Sequence, residues 1–205
     1  MLKTTKPTES PEEPNPLNRL TDVLSAEGFS RMTENEEWAA LGDEVWHRTE
    51  RVLFAEGETV FVFLQAGAIS PKVIDQAMNG IRNLFIARGR SKGAGTIFQT
   101  TTVYVGILGT SGAPHRSELN GMVTEAKGTV IIPVIIMPEI NTVIYPDVEL
   151  ERKLSAVRVR VEYLRYLLGE RGEQVDVHKG TIATFWISVG FVALLVVAGI
   201  LTMVL

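Results

Sequence analysis

From Thr181 to Leu205 the chain reads TIATFWISVGFVALLVVAGILTMVL, 25 residues without a charged side chain. As a helix rising 1.5 Å per residue this run is roughly 37 Å long, enough to cross a hydrocarbon core of about 30 Å with some tilt. Fourteen of its residues are Leu, Ile, Val or Phe. At roughly −0.3 to −0.6 kcal/mol each for insertion, they outweigh Gly190, Gly199 and the few hydroxyls. Trp186 lies near the entry end, where an amphipathic ring suits the interface. No ionisable residue interrupts the run, so it offers no proton or ion path. The segment reads as a single transmembrane helix, and the rest of the chain has to be a domain that stands beside it.

Arg171 and Lys179 precede the span. By the positive-inside tendency they place the N-terminal domain in the cytoplasm. The opening MLKTTKPTESPEEPNPLNRL has no apolar core of the kind a signal peptide needs. With the span at the end of the chain, insertion is expected after synthesis, a tail-anchored topology. Within the span, Ala198 with Thr202 and Gly190 with Ala193 are small patches that permit close helix approach.

The remaining sequence predicts an α/β fold, a mixed, mostly parallel sheet with flanking helices. Residues 1–14, with Pro7, Pro11 and Pro14 among acids and hydroxyls, read as a disordered arm. A cytosolic domain is expected over 15–172, its part 15–50 helical, followed by a juxtamembrane linker over 173–180. Asn15-Pro16 starts a helix carrying Leu17, Leu20, Val23 and Leu24, which Gly28 can stop. Thr33 and Glu36 form a capping box, and Trp38, Leu41 and Val45 mark the face of a second helix. Residues 51–55 and 59–65 are β-prone around Glu56-Gly57-Glu58, so a hairpin is one reading; the other lets that helix continue to Phe54. Ser70-Pro71 caps a helix with Ile74, Ala77, Met78, Ile81, Leu84 and Phe85 on one side, ending in the basic loop ARGRSKGAG.

A strand is clearest over 102–108, and a short helix is expected around 114–126. TVIIPVIIM is too apolar to face water on either side and reads as a central strand, Pro133 at a bulge or an edge-facing position. Thr142–Tyr145 adds a short strand. The last soluble helix runs from Pro146-Asp147 to about Leu168. Leu150, Leu154, Val157, Val161, Leu164 and Leu168 along it keep a heptad spacing. Packing on the sheet accounts for that seam; self-association is the competing use. Arg152, Lys153, Arg158, Arg160 and Arg165 lie off the seam and read as a solvated face.

Charge is uneven: residues 1–60 hold thirteen acids and six Lys/Arg, residues 61–205 eleven and fourteen. The later part tolerates an anionic neighbour, for which a lipid bilayer is the simplest candidate. No dense basic stripe for nucleic acid is present. Arg88, Arg90, Lys92 and Lys179 are the candidate membrane-surface contacts. The absence of cysteine excludes disulfides, thiolate metal sites and cysteine nucleophiles.

The chemistry-bearing pattern is thin. Gly109, Ser111 and Gly112, with His115 and Arg116 beyond them, stand where a strand gives way to a helix. That is the place where α/β folds hold anions on backbone N–H groups. These five are the candidate ligand-binding residues, although the pattern is not G-x-G-x-x-G. The loop at 89–96 lacks the Gly-Lys-Ser/Thr ending of a phosphate loop. His47, His115 and His178 have no metal-ligand spacing, no nucleophile elbow is present, and no cofactor is implied. Asp43, Glu44, Glu50 and Asp75 with Gln65 are candidates for a carboxylate cluster, though ordinary surface acids are the simpler reading.

The sequence therefore reads as a membrane-held α/β domain acting as an interaction or accessory module, with a protein partner or second copy at the 150–168 helix. The alternative is a membrane-tethered enzyme or phosphate-ligand sensor using the glycine-rich turn at 106–116.

Overall fold

The computed structural model describes residues 15–33, 38, 40–52, 55–91, 98–126, 128–147 and 155–170. The expected N-terminal arm, residue 36 of the capping box, Lys92, the start of the last helix, the linker 173–180 with Lys179 and the apolar run 181–205 lie outside these residues. Among the described residues no helix is long and apolar enough to cross a membrane.

Among the described residues seven strands make one mixed sheet: β1 Ser30–Arg31, β2 Glu44–Val52, β3 Ala55–Gln65, β4 Phe98–Leu108, β5 Thr124–Ala126, β6 Thr129–Met137 and β7 Thr142–Ile144. The described helices are α1 Pro16–Ala26, α2 Pro71–Ser91, α3 Arg116–Asn120 and α4 Ser155–Leu167. Strand order is β1-β2-β3-β4-β6-β5, and β7 also pairs β6. Only β3, β4 and β6 are mutually parallel. The other pairings are antiparallel, so the mostly parallel expectation holds for the centre alone.

Helices cover both faces. Leu20 and Leu24 of α1 and Val157, Val161, Leu164 and Leu167 of α4 bury against Phe61, Tyr104, Ile132 and Ile136. On the opposite face Ile74, Met78, Ile81 and Phe85 of α2 meet Val60, Val62, Val103, Val105 and Ile135. The period-2 alternation of β3, β4 and β6 supplies both clusters at once, which is why these strands read as continuous apolar runs. Each fully buried aliphatic side chain contributes about 1.5–3 kcal/mol, so Val157, Val161 and Leu164 of the heptad seam are spent on the sheet.

Several local expectations need correction. Among the described residues of 15–50, helix is found in α1 and at Trp38, while residues 44–52 are β2, so the second helix does not extend to Val45. Trp38, Leu41 and Val45 are buried together, but Trp38 is helical, Leu41 lies in a turn and Val45 in β2, so only the first of the three stands in a helix. The β2–β3 hairpin forms, but it turns between Val52 and Ala55, leaving Glu56-Gly57-Glu58 inside β3. The helix expected at 114–126 stops at Asn120, and Thr124–Ala126 pairs β6 instead. Arg88 and Arg90 belong to the last turns of α2 rather than to a loop. Arg160 is 6% exposed, facing the sheet instead of solvent.

Pro133 sits within β6 without disturbing the ladder. The Ile136 carbonyl accepts from Gly109 and the Gly128 carbonyl from Thr101, so even-numbered residues of β6 face β4. Odd-numbered ones face the other margin, where β5 pairs as far as Ile131 and β7 begins at Ile135. Pro133 falls in the interval between them, and there its missing N–H costs no ladder bond.

Candidate functional site

At the C-terminal end of the parallel strands, the glycine turn predicted to cradle an anion is occupied by its own neighbours. Gly109 N–H donates to the Ile136 carbonyl (3.1 Å) and Thr110 N–H to the Gly67 carbonyl (3.0 Å). Ile69 N–H donates to the Ser111 carbonyl (2.8 Å), and Ala68 bridges Ser111 in parallel register. The β3–β4 ladder thus continues beyond its strands. A Cβ on Gly109 would stand 2.4 Å from Ile69 Cγ1, and one on Gly112, at φ +83°, 2.0 Å from the Ile69 carbonyl oxygen. Both glycines are explained by close approach of the two loops. His115 precedes α3 without a side-chain cap bond, and the Arg116 guanidinium lies 4.7 Å over the Tyr145 ring. Tyr145 in turn donates its hydroxyl to Glu170.

The candidate carboxylates stay apart in their bonding. Asp43 accepts from Gln65 N–H (2.6 Å), Glu44 from Trp46 Nε1 (2.8 Å) and Asp75 from Asn79 (3.0 Å), while Glu50 pairs Arg48 (2.5 Å). Among the described residues no three metal-ligating side chains gather.

Polar residues gather instead near the N-terminal end of the parallel strands, in two adjacent rows across the sheet. Thr49, Glu58, Thr101 and Thr129 are successive cross-strand partners on the α2 face. Arg48, Thr59 and Thr102 are partners on the opposite face. Glu58, Thr59, Thr101 and Thr102 are all buried.

On the α2 face, Thr101 donates to Glu58 Oε2 (3.2 Å), and His47 Nε2 stands 3.1 Å from Glu58 Oε1. The same Nε2 lies 3.1 Å from Thr49 Oγ1, and Trp38 covers the ring at 4.9 Å between centroids. Acid, imidazole and hydroxyl suggest a proton relay, but a relay passes through both ring nitrogens. Here carboxylate and hydroxyl share one, so the group is geometrically a clasp between β2, β3 and β4.

On the other face, Arg160 Nε donates to Thr102 Oγ1 (2.7 Å), and Tyr104 donates to the Arg160 carbonyl (2.7 Å). Burial lowers the Arg160 pKa, opposed by Tyr104 and Glu125. Arg48 lies between the rings of Phe29 (4.8 Å) and Tyr163 (5.7 Å), and its Nη1 donates to the Glu27 carbonyl (2.9 Å). Three buried atoms here have no hydrogen-bond partner among the described residues: Arg48 Nε, Thr59 Oγ1 and the Tyr163 hydroxyl. Burial pushes Tyr163 up to about 12, with Arg48 pulling against it. The Arg48 guanidinium is near enough to act on that ionisation without reaching hydrogen-bond geometry.

A third feature lies where α4 ends. Gly169, at φ +72°, donates to the Tyr166 carbonyl and Glu170 N–H to that of Arg165, a Schellman turn that closes the helix. Beside it a groove of about 230 Å³ is lined by Pro16, Leu20 and Val23 of α1, Asn141 and Val143, and Leu167 to Glu170.

Sequence reasoning missed the two polar rows. Their signal is Glu58-Thr59 and Thr100-Thr101-Thr102, hydroxyls and an acid at the heads of otherwise apolar strands. Comparison of the chain with known protein families, characterised proteins and solved structures finds no match.

Proposed function

We propose that this protein is an interaction module held on a membrane by the apolar run 181–205, its α/β domain lying in the cytoplasm. The observation carrying this reading is the charge-free 25-residue run itself, beside a domain whose sheet is already covered on both faces by residues 16–170. An apolar segment that the domain core does not need finds its best solvent in lipid. Arg171 and Lys179 support the cytoplasmic orientation.

Contact rather than turnover is supported by how the reactive groups are used. Glu58 with His47, and Thr102 with Arg160, tie the sheet and its helices together, and the glycine turn uses the N–H groups of Gly109 and Thr110 in packing. The phosphate-sensor reading needs those N–H groups aimed at a ligand.

The test is fractionation of the full chain. It should sediment with membranes, resist a high-salt wash and enter solution only with detergent. A Val192→Asp, Val196→Asp double variant should move to the supernatant. Wild-type protein in the supernatant without detergent overturns the anchoring. Robust turnover of a nucleotide or phosphoester by the purified chain overturns the module.

A further inference from the structure

Two ends of the sheet compete to face the bilayer, and Glu170, the last described residue before the apolar run, stands at one of them. Arg160 of α4 meets Thr102 and Tyr104, low on the parallel strands, while Leu167 and Leu168 reach Asn141 and Val143 beyond the top of β6. The helix therefore runs in the same direction as β4 and β6 and delivers Glu170 to their C-terminal end. The basic turns of α2 that contain Arg88 and Arg90 lead into β4 at the opposite end. An 11-residue strand such as β4 separates those ends by roughly 36 Å. Residues 171–180 are ten in number, and at about 3.3–3.6 Å each they reach no further than that even fully extended.

The exit end also displays an apolar tip. Pro138–Ile140 forms a 3₁₀ turn closed by Asn141 in the left-handed region at φ 49°, and Thr142 Oγ1 bonds the Ile140 carbonyl at 3.0 Å. That bracing holds Ile140 outward at 59% exposure, next to the groove walled by Leu20, Val23, Val143 and Leu167. A single exposed apolar residue is ordinary on any surface. This one differs in standing on a fixed turn beside the point from which the chain proceeds to its apolar run. Exposed Arg19, Lys72 and Arg116 share this end with Asp43, Glu118 and Glu139, so it lacks a strong charge of either sign.

We infer that the C-terminal end of β3, β4 and β6 lies against the bilayer, with the Ile140 turn dipping into the lipid interface. This rests on the anchoring proposed above and adds the face of the domain that meets lipid. The contact is apolar, independent of anionic headgroups, and turns the basic end of α2 away from the membrane.

The chain has no cysteine, so single-cysteine variants label at one place. Full-length I140C, L84C and R90C, each carrying an environment-sensitive fluorophore, are incorporated into phosphatidylcholine vesicles containing a lipid spin-labelled near its headgroup. Position 84 is the control, since Leu84 is exposed on α2. The expected result is blue-shifted emission and several-fold stronger quenching at 140 than at 84 or 90, unchanged when phosphatidylserine is added. Vesicles that float with the protein while the label at 140 emits as in water overturn the inference and leave the anchoring intact. Stronger quenching at 90 than at 140 also overturns it, in favour of the basic end. Protein that does not float with vesicles removes the anchoring, and this inference with it.

Discussion

Thr59 and Thr102 stand directly opposite each other in the parallel β3–β4 ladder, both buried, yet only the Thr102 hydroxyl has a partner. Thr102 accepts from Arg160 Nε; Thr59 Oγ1 is an orphan. The same substitution at the two positions should therefore have opposite signs. Thr59→Val removes an unsatisfied buried polar atom and should raise stability by about 1 kcal/mol. Thr102→Val strips a charged donor of its acceptor and should lower stability by about 1.5–3 kcal/mol. Urea unfolding midpoints compare the two directly, and equal signs would contradict this account of the polar row.

The glycines of the turn give a second contrast. Gly28 and Gly112 both have positive φ, but a Cβ at Gly28 meets open space and one at Gly112 meets the Ile69 carbonyl oxygen. Gly28→Ala should cost about 1–2 kcal/mol of backbone strain alone. Gly112→Ala adds a steric clash and should cost clearly more, whereas Ser111→Ala should stay within about 0.5 kcal/mol of wild type as an exposed substitution. Thermal melts at fixed pH order the three.

All four tyrosines of the chain are shifted upward. Tyr104 is raised by burial, Tyr145 and Tyr163 go up to about 12, burial being the first cause in each, and Tyr166 is raised by its bond to Glu27. A raised folded-state pKa keeps the neutral phenol, so its stabilisation is complete below the ordinary value of 10.0 and is lost as pH climbs through about 12. Native protein should show clearly less tyrosinate absorbance at pH 10 than denatured protein, which is half-ionised there, because Tyr104, Tyr145 and Tyr163 stay neutral. Stability should fall steadily across that interval.

Leu164 tests the use of the heptad seam. It is fully buried against the sheet, so Leu164→Ala should cost about 2–5 kcal/mol. Light scattering of the native fraction should give the same mass as wild type. Dissociation of an oligomer without loss of stability would mean that the seam joins two chains.

What could be read in the sequence follows from how local each signal is. Asn15-Pro16 and Ser70-Pro71 start helices through their own side chains and rings, and both do so in the structure. The alternation in β4 and β6 is equally local, since a buried strand needs apolar residues whichever strand lies beside it. The spacing of Trp38, Leu41 and Val45 misled beyond Trp38 because a three-to-four spacing also arises when a helical residue, a turn and a strand share one core. Arg160 misled because an arginine off a seam usually meets water, and only the long-range placement of Thr102 gives it a buried acceptor. The candidate site shifted for the same reason. Gly109 and Gly112 announce a tight turn, but whether the N–H groups of Gly109 and Thr110 face a ligand or Ile136 and Gly67 depends on loops far apart in sequence. The two polar rows require the register of four strands, which no single segment contains.

Pro133 has an effect beyond its own strand. Between the short pairings of β5 and β7, the one position of β6 that points outward has a carbonyl but no donor. A strand from a neighbouring molecule finds half of a ladder rung there and no way to continue it. Copies of the chain brought to high density can stand shoulder to shoulder along this border while each sheet keeps its own boundary.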